Sequence, residues 1–564
     1  MWNRAGKLLT QKAKLVYSAT CVRCASAADS GSKWVKPSGF DTGLMMYNSL
    51  TKRKETLILA REGAATWYSC GPTVYDHSHL GHACSYVRFD IVQRILTRLL
   101  GITVIHAMVI TDIDDKIIKR SLEENISPTI LARFYEDEFK KDMMSLKVIP
   151  PAVYLRVTEN VPQIVGFIER IIRNGHAYPT EEGDVYFDIS SIGHRYGKFA
   201  AATVEPEVEA LSNTGKKDVR DFALWKRSKP QEPYWESPWG PGRPGWHIEC
   251  STVASSVFGS QLDIHSGGID LAFPHHENEV AQSEAYHQCG QWANYFIHSG
   301  HLHVKGSGEK MSKSLKNYIT IKDFLKAYTA DEFRMFCLLT KYRSGIEFSE
   351  GSMRDAQVTL GTISNFCHEA EAYMRGQLQC ASVQEDALWE RLAETKSRVQ
   401  AALTDDFDTA RAMSEVMNLV HHGYCQLQPS TRTEGQARSP AVFGAMRSYV
   451  RDVMDMFGIA LLHSKVTELG GSSSVSLEPI LEQLTNFRCQ VRAFALTKKD
   501  HPSGSSRGEL YPERLPLLEA CDKLRDDLGS LGVTIKDRGS ASTWEITRGG
   551  PSQRQRSQEN QTTR

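Results

Sequence analysis

The side chains with the most chemical reach fall in four short stretches. CGPTVYDHSHLGH carries Cys70, His79 and His82 around Gly81; WHIECS carries Cys250; PHHENE carries His275 and Glu279; GEKMSKSLKN carries Lys310 and Lys313. Two thiols, an imidazole and a carboxylate form a donor set suited to Zn²⁺, and residues four apart such as His275 and Glu279 share one helical face. Each residue taken singly has a plainer use, as a small buried cysteine, a capping histidine or a solvated glutamate. Two imidazoles flanking a glycine at a helix mouth suit phosphate, because the first helical turn offers unpaired N–H groups and a partial positive charge. Lys310 and Lys313 follow the GSG of residues 306–308 and are suited to neutralising a departing pyrophosphate.

These groups act together only if the chain positions them. Residues 66–69 read as a short buried strand, and YVRFDIVQRILTRLL, residues 86–100, repeats apolar side chains at helical spacing. The first motif therefore sits on a strand-to-helix turn. ITVIHAMVI, residues 102–110, is a β-branched run expected of a buried parallel strand, and TDIDDKIIKR opens the next helix, completing a βαβ unit. Helical stretches over residues 130–175 and a mixed segment to 225 precede a return of glycine-rich turns in PWGPGRPGWHIEC and HSGGIDLAFPHHENE. That pattern predicts an insertion splitting the sheet domain at about residues 140–225. Long helical patterns follow residue 320, including 384–425 and 440–462; LGGSSSVS reads as a linker, residues 501–509 as an inserted loop, and the tail over 548–564 as disordered.

HLGH and KMSKS together resemble the paired signatures of class I aminoacyl-tRNA synthetases. With CGPTVYD, TDIDDKII, GRPGWHIECS and FPHHENE, the chain is similar to cysteinyl-tRNA synthetases over residues 43–350. The resemblance implies an α/β fold with a Rossmann-like class I catalytic domain at 43–345 containing the insertion. A helical bundle at 346–465, a linker at 466–479 and a small anticodon-binding domain at 480–547 follow. It implies ATP-dependent ligation of L-cysteine to tRNA(Cys) through a cysteinyl-adenylate, with Mg²⁺ beside ATP and Zn²⁺ on Cys70, Cys250, His275 and Glu279 holding the substrate thiol. His79, His82, Lys310 and Lys313 would stabilise charge. Gly268 and Asp270 of HSGGIDL, with Lys313, would bind ATP. Gly71, Thr111, Trp246 and His275 would surround the amino acid, and Asp522, Asp537 and Trp544 would read tRNA bases.

Zinc suits such a substrate because serine is nearly isosteric with cysteine, and shape alone discriminates at that size by only about 1–3 kcal/mol. A thiol ionises and binds zinc where an alcohol does not. Lys116 and Lys119 in KIIK, with the lysines of KMSK, match motifs proposed in this family for pyridoxal-phosphate-dependent cysteine persulfide synthesis, a second activity. Three departures from the family pattern stand out: ALTKKDH lacks the arginine and tryptophan of the bacterial A-R-x-x-K-D-W, Val109 replaces an asparagine, and Cys84 replaces an arginine.

The whole chain bounds these readings. Its 564 residues exceed one core, and 67 basic against 67 acidic residues exclude a uniformly basic nucleic-acid binder, so RNA contacts must be local patches. Twelve cysteines without regular spacing fit reduced thiols or metal ligands better than a disulfide scaffold. No apolar run approaches the roughly 20 residues that span a bilayer. Residues 1–28 hold Arg4, Lys7, Lys12, Lys14 and Arg23 without an acid, a transit-peptide composition; a leader over 1–35 and a mitochondrial matrix location are expected, with Cys21 and Cys24 discarded in it. A monomer is expected. The rival readings are a ligase joining cysteine to an amino sugar or other small amine, which would lack the long C-terminal portion, and a non-catalytic RNA-binding protein, which would need neither signature nor zinc set.

Overall fold

A computed structural model of the chain describes residues 34–199, 215–304, 311, 318–378, 380–428, 438–461, 477–497, 511–538 and 541–546. The described chain divides into a smaller unit, containing 159–262 and 272–294, and a larger one containing 37–158, 263–271 and the residues from 295 onward. No helix among the described residues is long and apolar enough to cross a membrane.

The larger unit is organised by a five-stranded sheet. In chain order its elements are β1 (Ala64–Ser69), α1 (Leu80–Arg98), β2 (Thr103–Ile110), α2 (Asp115–Glu124), α3 (Pro128–Ser145) and β3 (Val153–Arg156). After α4 (Trp246–Phe258) of the smaller unit comes β4 (Leu262–Gly268), then α5 (Glu277–His287) of the smaller unit and β5 (Ala293–Ser299). The sheet order is β5-β4-β1-β2-β3, and the β4–β1, β1–β2 and β2–β3 pairings are parallel. Central β1 buries Trp67 and Tyr68 almost completely, as a strand covered on both faces must. This is the Rossmann-like class I arrangement expected from the sequence.

Two local expectations are refined. The helical stretches over 130–175 are α3, ending at Ser145, and the helix Val161–Arg173; Lys147, at a left-handed φ of 60°, and edge strand β3 separate them. The run 384–425 is two helices, Glu385–Leu403 and Thr409–Gln426. It breaks where buried Asp406, at φ 62°, accepts hydrogen bonds from Tyr47 N, Tyr342 Oη and Arg343 Nε at 2.8–3.0 Å, an arrangement a continuous helix would not permit. Helices Glu350–Met374 and Pro440–Met456 complete the helical region. At the C-terminal end, helices Leu477–Ala495 and Leu515–Ser530 pack with an antiparallel hairpin, Val533–Arg538 against Ala541–Ile546. The glycine-serine linker, the 501–509 loop, the tail and residues 1–33 of the basic leader lie outside the described residues.

In the smaller unit a four-stranded antiparallel sheet, Ala177–Pro179, Val185–Phe187, Phe222–Arg227 and Gly242–Pro244, leads directly into α4, which packs on α5. The stretch 200–214 is outside the described residues.

Candidate active site and metal centre

Open parallel sheets bind ligands beyond the carboxyl ends of their strands. Cys70 and Gly71 follow β1, Thr111 follows β2, and Gly268 ends β4, so three of the sequence-derived stretches gather at that edge of the larger unit. Backbone bonds hold the turn: Cys70 N donates to Ser266 O (3.4 Å), Thr111 N to Pro72 O and Val74 N to Thr111 O (both 3.2 Å). Gly71 is fixed as glycine by close approach, since a Cβ there would lie 1.7 Å from Val109 O. Beneath the turn, Trp67 Nε1 donates to Ser266 Oγ (2.7 Å), which shares a hydrogen with Ser69 Oγ (2.7 Å), itself 2.9 Å from His106 Nε2. Burial pushes His106 down to about 4, leaving it neutral in this chain of hydrogen bonds. Beyond β4, Asp270 is exposed, and its Oδ1 would lie 2.5 Å from a Cβ on Gly268.

The first histidine motif forms the mouth of α1. His79 is the N-cap, its Nδ1 accepting from Gly81 N (3.1 Å), and its ring stacks on that of His82 with centroids 3.9 Å apart. The segment after the lysine-rich motif is stitched to this mouth: Leu80 N donates to Ile319 O (3.0 Å) and Ile321 N to Ser78 O (3.2 Å). Within the motif itself, buried Met311 donates from N to Leu302 O (2.9 Å), and its carbonyl oxygen would lie 3.4 Å from a Cβ on Gly81. The two signatures thus meet through Met311, while Lys310 and Lys313 lie outside the described residues.

In the smaller unit, Cys250 on α4, His275 on the turn entering α5 and Glu279 on α5 bring their donor atoms within 4.8 Å of one another. All three side chains are almost fully buried, and His275 Nε2 lies 3.1 Å from Glu279 Oε1. Burial disfavours charge on His275, but Cys250 and Glu279 outweigh it and raise the imidazole to about 10. A buried donor set that retains a proton so strongly favours a cation, and thiolate, imidazole and carboxylate are ligand types zinc accepts. His247 Nδ1 lies 2.8 Å from His275 Nδ1 and is held neutral mainly by its own burial, so it can accept from that nitrogen and leave Nε2 facing the other donors. The sequence reading missed His247, although its place in WHIECS next to Trp246 was a signal. Trp246, 41% exposed, sets its ring 4.3 Å from that of His275 rather than in the core. Cys70, in the larger unit, is buried.

The remaining candidates stand in more ordinary surroundings. Lys116 and Lys119 are exposed on α2, Lys116 over the Tyr75 ring (5.7 Å) and Lys119 3.9 Å from Glu123. In the C-terminal region Asp537 is bound by Arg488, at 2.6 and 2.9 Å, and accepts from Ser542 Oγ (2.6 Å). Burial opposes its ionisation, but Arg488 and Ser542 hold the carboxyl below its ordinary range. Trp544 Nε1 donates to Glu482 (2.9 Å), and half-exposed Asp522 lies 3.0 Å from Arg525. Of the two family departures within the described catalytic region, Cys84 is buried and hydrogen-bonded to Cys337, and Val109 is buried, its carbonyl oxygen being the atom that crowds Gly71.

Comparison with known proteins follows the same lines. The sequence profile of the tRNA synthetases class I (C) catalytic domain matches residues 57–358. The chain is 58% identical over 533 residues to the probable mitochondrial cysteine–tRNA ligase of Xenopus tropicalis, covering 93% of this chain and 92% of that one. It is 41% identical over 554 residues to the cytoplasmic cysteine–tRNA ligase of Dictyostelium discoideum, covering 93% and 81%. With the cysteine–tRNA ligase of Pyrococcus horikoshii it shares 38% over 512 residues, covering 89% and 99%. Among solved structures, methionyl-tRNA synthetase of Mycobacterium tuberculosis bound by methionyl-adenylate superposes with a TM-score of 0.53 at 15% identity, covering 70% of this chain and 90% of that one, a likeness of fold.

Proposed function

The chain belongs to the cysteine–tRNA ligases, class I aminoacyl-tRNA synthetases, and from that premise we propose that it selects cysteine through a zinc-held thiol and charges a mitochondrial tRNA(Cys). The observation that carries the selectivity is the buried meeting of Cys250, His275 and Glu279. Cys70 is assigned as the fourth ligand from the sequence pattern. Zinc bound there supplies a Lewis-acidic partner for the substrate thiolate that serine's alcohol cannot match.

The chain's own groups do the rest. Gly71 and Thr111 are assigned to the amino acid, and Trp246 to its small side chain, from the sequence pattern. Asp270 accepts from ribose hydroxyls of ATP beside Gly268. The cysteine carboxylate attacks the α-phosphate and pyrophosphate leaves; a hydroxyl of the terminal tRNA adenosine then attacks the cysteinyl carbonyl and AMP leaves. His79 and His82 donate at the phosphates, where the positive end of the α1 dipole already favours negative charge, and Lys310 and Lys313 neutralise pyrophosphate; Mg²⁺ accompanies ATP. Residues 43–345 are assigned to activation and 480–547, with Asp522 and Trp544, to the anticodon end.

The mitochondrial assignment is supported by the acid-free basic composition of residues 1–28 and by the name of the 58% identical relative. Persulfide synthesis with pyridoxal phosphate gains no support from Lys116 and Lys119, whose exposure is the opposite of the desolvation that activates an imine-forming amine. Metal analysis of the purified protein tests the central reading: one zinc per chain in the wild type, lost in Cys250→Ala and retained in Lys116→Ala, is expected. Stoichiometric zinc in Cys250→Ala would remove that cysteine from the ligand set.

A further inference from the structure

Beside the histidine motif, one carboxylate gathers two lysines and a histidine from separate segments. Glu138 on α3 is nearly buried, with 9% of its side chain exposed. Its Oε2 pairs with Lys322 Nζ and lies 4.0 Å from His77 Nδ1, while its Oε1 accepts from Lys141 (3.2 Å). His77 is in the stretch leading to His79; Lys322 opens α6 (Ile321–Ala327), directly after the segment stitched to the mouth of α1. His79 and Thr320 are bridge partners, and Thr320 caps α6 by accepting from Asp323 N (3.1 Å). Lys141, 66% exposed, touches Glu138 from outside and reaches neither motif by a described ion pair.

We propose that Glu138 is a positioning residue for nucleotide activation: its carboxylate holds Lys322 and His77, and through the His79–Thr320 bridge fixes the orientation of the helix mouth that meets the phosphates. The proposal deepens the function assigned above and rests on the role given there to His79. The carboxylate is nearly buried while Lys322 is half exposed, and its loss takes from Lys322 and His77 the partner they share, leaving Asp323 as the neighbouring carboxylate. Small displacements of phosphate-binding groups have large kinetic consequences, whereas the amino-acid side, at other strand ends, does not depend on Glu138.

The test is steady-state ATP–pyrophosphate exchange by the full chain, with Glu138→Gln, Lys322→Met, the double variant and Lys141→Met. Glu138→Gln is expected to lower kcat/KM for ATP roughly ten- to a hundred-fold, leaving KM for cysteine and the thermal midpoint near wild type. Lys322→Met should reproduce that loss, the double variant should add little to it, and Lys141→Met should be neutral. ATP kinetics within about twofold of wild type in Glu138→Gln, or equal losses for ATP and cysteine with a lowered thermal midpoint, would overturn the proposal. Wild-type protein without cysteine-dependent exchange would instead sink the functional reading beneath it.

Discussion

The carboxyl edge of the sheet and the C-terminal hairpin place their polar groups in opposite ways. At the sheet edge, Cys70, Thr111, Gly268 and the His79 cap come from separate segments and converge through backbone geometry. In the hairpin, Asp537 and Trp544 are taken up by the protein's own Arg488, Ser542 and Glu482. A cysteine, a threonine, a glycine and a histidine cap drawn to one strand-end edge form a candidate site, whereas a carboxylate already bound by an internal arginine is first a structural group. On the neighbouring helix Leu515–Ser530, the exposed Asp522 is a better candidate to meet a base than Asp537.

Replacement of a metal-cluster donor should have the largest effect. His275→Ala removes an almost fully buried imidazole from between Cys250 and Glu279. Loss of several kcal/mol of substrate stabilisation, on the order of a thousandfold in cysteine-dependent exchange, is expected with loss of bound metal; a smaller loss with metal retained would make the cluster structural. Gly71→Ala comes next, since its Cβ must displace Val109 O from 1.7 Å. It should destabilise the fold by about 3 kcal/mol in chemical denaturation; an unchanged midpoint would show that the turn can shift.

The contrast within the C-terminal region is sharpened by a pair of substitutions. Asp537→Ala strands fully buried Arg488 and should destabilise the C-terminal region by about 3 kcal/mol, whereas Asp522→Ala should leave stability unchanged and raise KM for tRNA. The reverse pattern would return Asp537 to a base-reading role. Because the Asp537 carboxyl is held below its ordinary range, its stabilisation is present above about pH 4 and disappears as pH falls through the lowered folded value, which Trp544 fluorescence can follow. The smallest effect belongs to Lys116→Ala combined with Lys119→Ala: exchange should stay within about twofold of wild type, and a larger loss would give these exposed lysines a part in activation.

Much of the sheet edge was legible in the sequence because the chemistry fixes residue type and spacing together. The β-branched run of β2, the glycine at 71 and the four-residue step from His275 to Glu279 each follow from a physical requirement visible in one dimension. What escaped depends on distant partners. Edge strand β3 is too short to outweigh the flanking helical periodicity, the break at Asp406 is made by Tyr47, Tyr342 and Arg343, and His247 orients His275 from another helix. The Asp537–Arg488 pair was hidden for the same reason, since Arg488 comes from a different helix and the base-reading expectation for Asp537 rested on the family resemblance alone.

The most direct test of zinc-gated selection is ATP–pyrophosphate exchange by wild type and Cys250→Ser, with cysteine and with serine, and with zinc quantified in each protein. Exchange confined to cysteine in the zinc-loaded wild type, and lost with the metal in Cys250→Ser, is the expected result. Exchange that accepts serine as readily as cysteine, or that persists after the metal is gone, would contradict the assignment of thiol recognition to Cys250, His275 and Glu279.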